Sequence, residues 1–262
     1  MRRALYVSLS FFLLSTAIIV FIFPVQTAQA VVPAVLDSVI DGSKLYTYTT
    51  ACDTTKGLSP QQGFIIPDGV GTLDTVYLHF QSGQTSLNTL CNSNPGQSLC
   101  AASTALSKKN IRAAIILSQE QGNAQFDQAT RECMLTEAKE KINNEAKLIT
   151  QEYTVTAEGA GSNQVLKFLE QGFEAGKIIL FGACNGDVCE KISKLQTTGQ
   201  VLIYAMDSEL AAVSTLYSQN TDKIFALSVP GINDSQTIPG ICYLDHVYGN
   251  KCNGKAQGIV IP

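Results

Sequence analysis

Continuous apolar runs alternate with amphipathic ones along the second half of the chain. Residues 177–181 (KIILF), 201–206 (VLIYAM) and 223–229 (KIFALSV) are short, apolar and bounded by polar residues, which predicts strands buried on both faces. Between them Val188, Ile192 and Leu195, and then Leu210, Val213 and Leu216, recur at helical spacing. In the first half, residues 75–80 (TVYLHF) and 111–117 (IRAAIIL) read as two further buried strands. Residues 44–50 alternate like a strand, and 63–66 form another short extended piece. A helix is expected over residues 126–149, with Phe126, Ala129, Cys133, Ile142, Ala146 and Ile149 approximating its inner face. Glu137 and Lys141 pair at i, i+4 on its outer face. A second helix, capped by Ser162 or Asn163 and stopped by Gly176, carries Val165, Leu166, Leu169 and Phe173. Strand–helix alternation with right-handed crossovers predicts an α/β domain with a doubly wound, mainly parallel sheet.

The N-terminus reads differently. Arg2 and Arg3 precede an apolar run over residues 4–23, and Ala28-Gln29-Ala30 supplies the small residues that a signal peptidase reads. Residues 1–30 are therefore expected to be an export signal, with 31–262 as a single domain. The run is also long enough for an uncleaved anchor, since 20 helical residues span about 30 Å. Both alternatives place the folded part outside the cytoplasm, as a secreted or cell-envelope protein, and an anchor would be its one attachment to a membrane.

Composition narrows the function. Of 262 residues 45% are hydrophobic, which excludes disorder as the general state. The formal net charge of −4 becomes about −6 once Arg2 and Arg3 leave with the signal, and this argues against a nucleic-acid partner. With no Trp, a carbohydrate platform of stacked indoles is excluded. All eight cysteines lie beyond residue 30, an even set typical of disulfides in an exported chain. Cys91/Cys100 and Cys242/Cys252 flank turn-rich loops and are plausible local staples. Cys184 and Cys189 would lie about 8 Å apart in a regular helix, too far for a bridge unless the turn brings them closer. The absence of Cys-x-x-Cys, together with only two histidines, speaks against a metal site, and no cofactor is expected.

In an open α/β sheet, ligands bind outside the carboxyl ends of the strands. That rule selects His79, Cys184, Asp207 and Asp234. Gly182-Ala183-Cys184-Asn185-Gly186 stands between a predicted strand and helix with the G-x-nucleophile-x-G spacing of a nucleophile elbow. At such a turn, backbone N–H groups at the helix start stabilise an oxyanion and lower a thiol pKa. Asp207-Ser208-Glu209 also reads as a helix start, and Asn233-Asp234-Ser235 as a glycosylation sequon.

Residues 75–239 resemble the α/β-hydrolase superfamily. TVYLHFQSG is similar to the strand and loop that lend an oxyanion-hole N–H, which here is Gln81. IILFGACNGD is similar to the elbow strand, with Cys184 where dienelactone hydrolases have Cys and Asn185 as the second oxyanion donor. Gly231-Ile232-Asn233-Asp234 with Pro239 is similar to the loop that carries the acid. His246 is the histidine that fits the family's nucleophile–acid–His order. The resemblance implies a three-layer sandwich, here disulfide-stapled, and an esterase-type hydrolase. In it Cys184 attacks, His246 shuttles the proton and Asp234 orients the imidazole, on a small-molecule or cell-envelope substrate.

Two alternatives stand beside it. Ala183 where the family has His, Asp187 after the second elbow glycine, and the even cysteine count point to the same fold without catalysis, as a binding or envelope protein. A resemblance to caspase- or gingipain-like cysteine peptidases instead pairs His79 with Ala183-Cys184.

Overall fold

The computed structural model describes residues 33–40, 42–53, 61–81, 87, 91, 99–118, 127–184, 186–196, 199–220, 222–235, 237–243 and 251–259. The leader and anchor readings, His246, Asn185 and Phe126 lie outside them. Among the described residues no helix is long and apolar enough to cross a membrane.

The central sheet begins with β1 (Val35–Ile40), β2 (Ser43–Thr49) and β3 (Gln61–Pro67), which run antiparallel to their neighbours. It continues through β5 (Thr75–Phe80), β6 (Ala113–Ser118), β8 (Tyr153–Glu158), β9 (Lys177–Phe181), β10 (Gln200–Ala205), β11 (Ile224–Ser228) and β12 (Gln257–Gly258). The spatial order is β1-β2-β3-β6-β5-β8-β9-β10-β11-β12. From β6 to β11 every pairing is parallel, while β3–β6 and β11–β12 are antiparallel. A small separate ladder joins β4 (Thr72–Leu73) to β7 (Lys147–Leu148). The fold is α/β with a mainly parallel sheet, as the alternation of apolar strands and amphipathic helices predicts.

Helices pack on both faces of the sheet, but β11, expected to be buried on both faces, leaves Phe225 48% exposed. On one side pack α2 (Gln128–Glu145), α3 (Ser162–Glu170), α4 (Val188–Leu195) and α5 (Leu210–Gln219), against Val76, Leu78, Val155, Ile178, Leu180, Val201 and Ile203. On the other, α1 (Leu99–Lys108), α6 (Thr237–Cys242) and α7 (Lys251–Gly254) cover Tyr77, Ile115, Ile179, Phe181 and Tyr204.

Several expectations need correction. The strand β8 was not expected, because its sequence Tyr-Thr-Val-Thr-Ala-Glu mixes polar residues into a run that is nonetheless buried from Val155 onward. In α2 the expected inner face is right at Ile142 and at the following Ala146, and wrong toward its start and end. Ala129 and Cys133 are exposed and Ile149 lies beyond the helix, whereas Thr130, Arg131, Ala138, Lys141 and Ile142 are buried. Lys141 is buried with its ammonium over the Tyr48 ring and 3.8 Å from Glu137, so this pair faces inward. Glu137 stays there because Thr50 Oγ1 and the Ala51 N–H donate to it. The side chains of Ser162 and Asn163 do not cap α3. They donate back to the carbonyls of Gly159 and Ala160.

The eight cysteines form four disulfides: Cys52–Cys133, Cys91–Cys100, Cys184–Cys189 and Cys242–Cys252. The two local staples are those the loops suggest. Cys184–Cys189 closes because Cys184 precedes the helix: α4 begins at Val188, and the turn through Gly186 brings the Cα atoms to 5.2 Å. Helical spacing does not apply to that stretch.

Candidate functional site

Strand order locates the crevice. From β5 the chain moves to β6 on one side, and after crossing back it leaves β8 toward β9, β10 and β11 on the other. The carboxyl ends of β5 and β8 are thus the topological switch point, where ligands bind in open α/β sheets.

A close turn stands at this switch point. β8 passes into α3 through the single turn Gly159–Gly161, and Gly159 adopts φ +46°, a conformation open to glycine and strained for other residues. Gly161 lies against the end of β5: a Cβ there would stand 2.8 Å from the Phe80 carbonyl carbon, 3.1 Å from the Gln81 oxygen and closer still to the Phe80 oxygen. This is the sharp strand-to-helix geometry that lifts a nucleophile above a sheet. The residue at its apex, Gly159, has no side chain to present.

Below the turn the sheet carries a buried polar group. His79 pairs in register with Thr156, so their side chains share a face. His79 Nδ1 lies 2.8 Å from Thr156 Oγ1, which is 3.4 Å from the Tyr243 hydroxyl. His79 Nε2 is 3.8 Å from Glu158 Oε2, beyond hydrogen-bond length, and both residues are buried. Burial pushes the Tyr243 hydroxyl well above its ordinary pKa, against the lowering effect of the Thr156 bond. The ring of Tyr243 packs on Tyr77 and Phe181 and roofs the group from the Cys242–Cys252 staple. Gln81, two residues beyond His79, is only 6% exposed, and neither its amide nitrogen nor its oxygen has a hydrogen-bond partner.

The site predicted around Cys184 is assembled differently. Gly182 and Gly186 do take positive φ, +54° and +62°, but Cys184 sits one strand away from the switch point and its sulfur is bonded to Cys189. In this state it holds no thiol for nucleophilic attack, which corrects both its hydrolase role and its peptidase role. The Cys184 N–H donates to Glu209 Oε1 at 2.6 Å, and the Met206 N–H to Glu209 Oε2 at 3.0 Å. Glu209 thereby ties the loop after β9 to the loop after β10. Burial raises its carboxyl above the ordinary range, and the two N–H donors pull it back. Asp207 is exposed and accepts from the Gly231 N–H at 3.0 Å, while Asp234 is exposed and accepts from Thr237. His79 is turned toward β8 and its ring contacts belong to Thr156, Glu158 and Tyr243. A groove of about 260 Å³ between α4 and α5 has the Cys184–Cys189 disulfide in its wall.

Sequence reasoning therefore missed Glu158, Thr156 and Gly159. The signal was present in Thr154–Glu158: alternating residues, then Gly-Ala-Gly, then a helical pattern, which together make a strand–turn–helix. Among the described residues no group of His, Cys, Asp or Glu has the arrangement of a metal site.

No family model matches this chain, and no curated protein matches it. Solved structures similar to it include esterase B from Lactobacillus rhamnosis HN001, with 10% identity and TM-score 0.48, over 77% of this chain and 79% of that one. A thermostable esterase from Pseudomonas putida ECU1011 aligns at 11% identity and TM-score 0.48, over 83% of each chain. A dienelactone hydrolase-like promiscuous phosphotriesterase from metagenomic libraries aligns at 13% identity and TM-score 0.46, over 80% of this chain and 96% of that one.

Proposed function

We propose that this chain is an exported, non-catalytic binding protein with an α/β-hydrolase-like architecture, taking a small molecule at the crevice between β5 and β8. The observation that carries the reading is the Cys184–Cys189 disulfide, which occupies the sulfur a hydrolase or peptidase would need. It is supported by Gly159, which leaves the switch-point turn without a nucleophile. The leader pattern at residues 1–30 and the four disulfides favour an oxidising, extracytoplasmic location.

The test is non-reducing peptide mapping of the purified protein, with iodoacetamide labelling and a p-nitrophenyl ester assay. The expected result is a Cys184–Cys189 linked peptide, no label on Cys184 and no turnover above buffer. A labelled Cys184 with turnover abolished by Cys184→Ser would overturn the reading in favour of the Cys184, His246 and Asp234 hydrolase.

A further inference from the structure

We infer that a groove along the β9–β12 end of the sheet binds an amphiphilic carboxylate of medium chain length, with Lys177 at its charged end and Leu202, Phe225 and Leu227 along its apolar body. This site is separate from the β5–β8 crevice and does not depend on the binding reading above.

The opening comes from incomplete cover of one sheet face. Strand register places Lys177 beside Gln200 and Leu202 beside Phe225. By alternation Lys177, Leu202, Phe225 and Leu227 share the face that α1, α6 and α7 cover elsewhere. Those helices stop short of this end, since Phe225 is 48% exposed and Leu202 and Leu227 are only partly buried. β12 adds no cover there. Gly258 stands opposite Leu227, and a Cβ on it would meet nothing within 4 Å. The result is a groove of about 440 Å³ lined by Lys177, Gln200, Leu202, Phe225, Leu227 and Ile259, among others. Its size and its apolar walls with few polar groups are those of a small-molecule site.

The polar groups select the ligand. Lys177 is half-buried, and among the described residues its ammonium has no ion pair. One ammonium with the Gln200 amide answers a monoanion such as a carboxylate, whereas a phosphate calls for more donors and more positive charge. A cation would be repelled. Leu202, Phe225, Leu227 and Ile259 have no polar side-chain atoms, so the rest of the ligand is hydrocarbon. From β9 to β12 there are three strand spacings, about 14 Å, the reach of a medium-chain acyl tail. An added peptide strand fits worse, because β12 already pairs with β11 at Leu227 and Ser228.

The experiment uses the full mature chain with decanoate, and with decanol and decylamine as its uncharged and cationic counterparts, all below micelle formation. Binding is read by calorimetry and by methyl NMR shifts at Leu202 and Leu227. Decanoate should bind saturably and shift these methyls, with decanol about fivefold weaker and decylamine weaker still. Lys177→Gln should weaken decanoate about fivefold and leave decanol unchanged, a split that a general loss of structure would not give. Gly258→Leu fills the open end from a residue without positive φ, so it should abolish decanoate binding while Tm holds or rises. If Gly258→Leu does not fold, Phe225→Ser serves instead, at a position already exposed, and should weaken both decanoate and decanol.

The absence of a saturable methyl shift with decanoate overturns the proposal. So does decanol or decylamine binding as tightly as decanoate, or Lys177→Gln binding decanoate as the parent does. Undiminished decanoate binding in the folded Gly258→Leu or Phe225→Ser protein places the ligand elsewhere and overturns it as well. A parent dimer that decanoate leaves intact and Phe225→Ser dissociates assigns this face to a second copy instead. None of these results bears on Cys184, whose disulfide is read separately by peptide mapping.

Discussion

Replacing Gly161 with Ala tests whether the β8–α3 turn abuts the end of β5 as closely as the crevice requires. Gly161 has φ −58°, so alanine meets no backbone strain there and the perturbation is purely steric. The new Cβ would lie 2.8 Å from the Phe80 carbonyl carbon and nearer to its oxygen. Carbon–oxygen contacts settle at about 3.3 Å or more, so the turn and the strand end must separate by roughly 0.5–1 Å. Both partners are backbone within the central layer and neither can rotate away. Overpacking of this kind costs about 1–3 kcal/mol. Restricting the unfolded chain returns about 0.4–1 kcal/mol, leaving a net loss of about 1–2 kcal/mol. For a domain of this size that lowers Tm by about 2–8 °C. Gly71→Ala is the control, because its Cβ would meet nothing within 4 Å. It should be neutral or slightly stabilising. Urea unfolding of the two variants beside the parent is the assay. A Gly161→Ala protein as stable as Gly71→Ala would refute the close approach and the crevice geometry built on it.

Two further outcomes are expected. On the loop-entropy account, removing Cys52–Cys133, with a sequence separation of 81, should cost about 4.5 kcal/mol, while removing Cys184–Cys189, with a separation of 5, costs about 2 kcal/mol. Double Cys→Ser variants compared by urea unfolding check the ranking, and equal losses would contradict it. Glu209→Gln turns one acceptor oxygen into a donor against a backbone N–H, a loss of about 1–3 kcal/mol. Because the folded carboxyl is raised above 4.5, its titration contributes stability that is present below that value and lost as pH rises through the folded pKa. The deficit of the variant should therefore shrink between pH 4.5 and neutrality in thermal melts, and a deficit that grows would contradict the raised carboxyl.

The chain by itself determined what depends on neighbouring residues. The strands β9, β10 and β11 are apolar on both faces and follow one another in sequence as they do in the sheet, so periodicity was enough to read them. Cys91–Cys100 and Cys242–Cys252 close over short loops whose turn residues announce them. The site depended on strand order instead. β5 and β8 become neighbours only after the chain has gone out to β6 and crossed back, and no local pattern records that crossing. β8 itself was hidden because Thr156 and Glu158 are polar, and Thr156 is accommodated in the sheet by contacts with His79 and Tyr243, which come from distant parts of the chain. Cys184 shows the same limit from the other side. Its flanking glycines correctly announced a tight turn, but the fate of its sulfur was decided by where α4 begins, since a bond between residues five apart exists only if the first of them lies outside the helix.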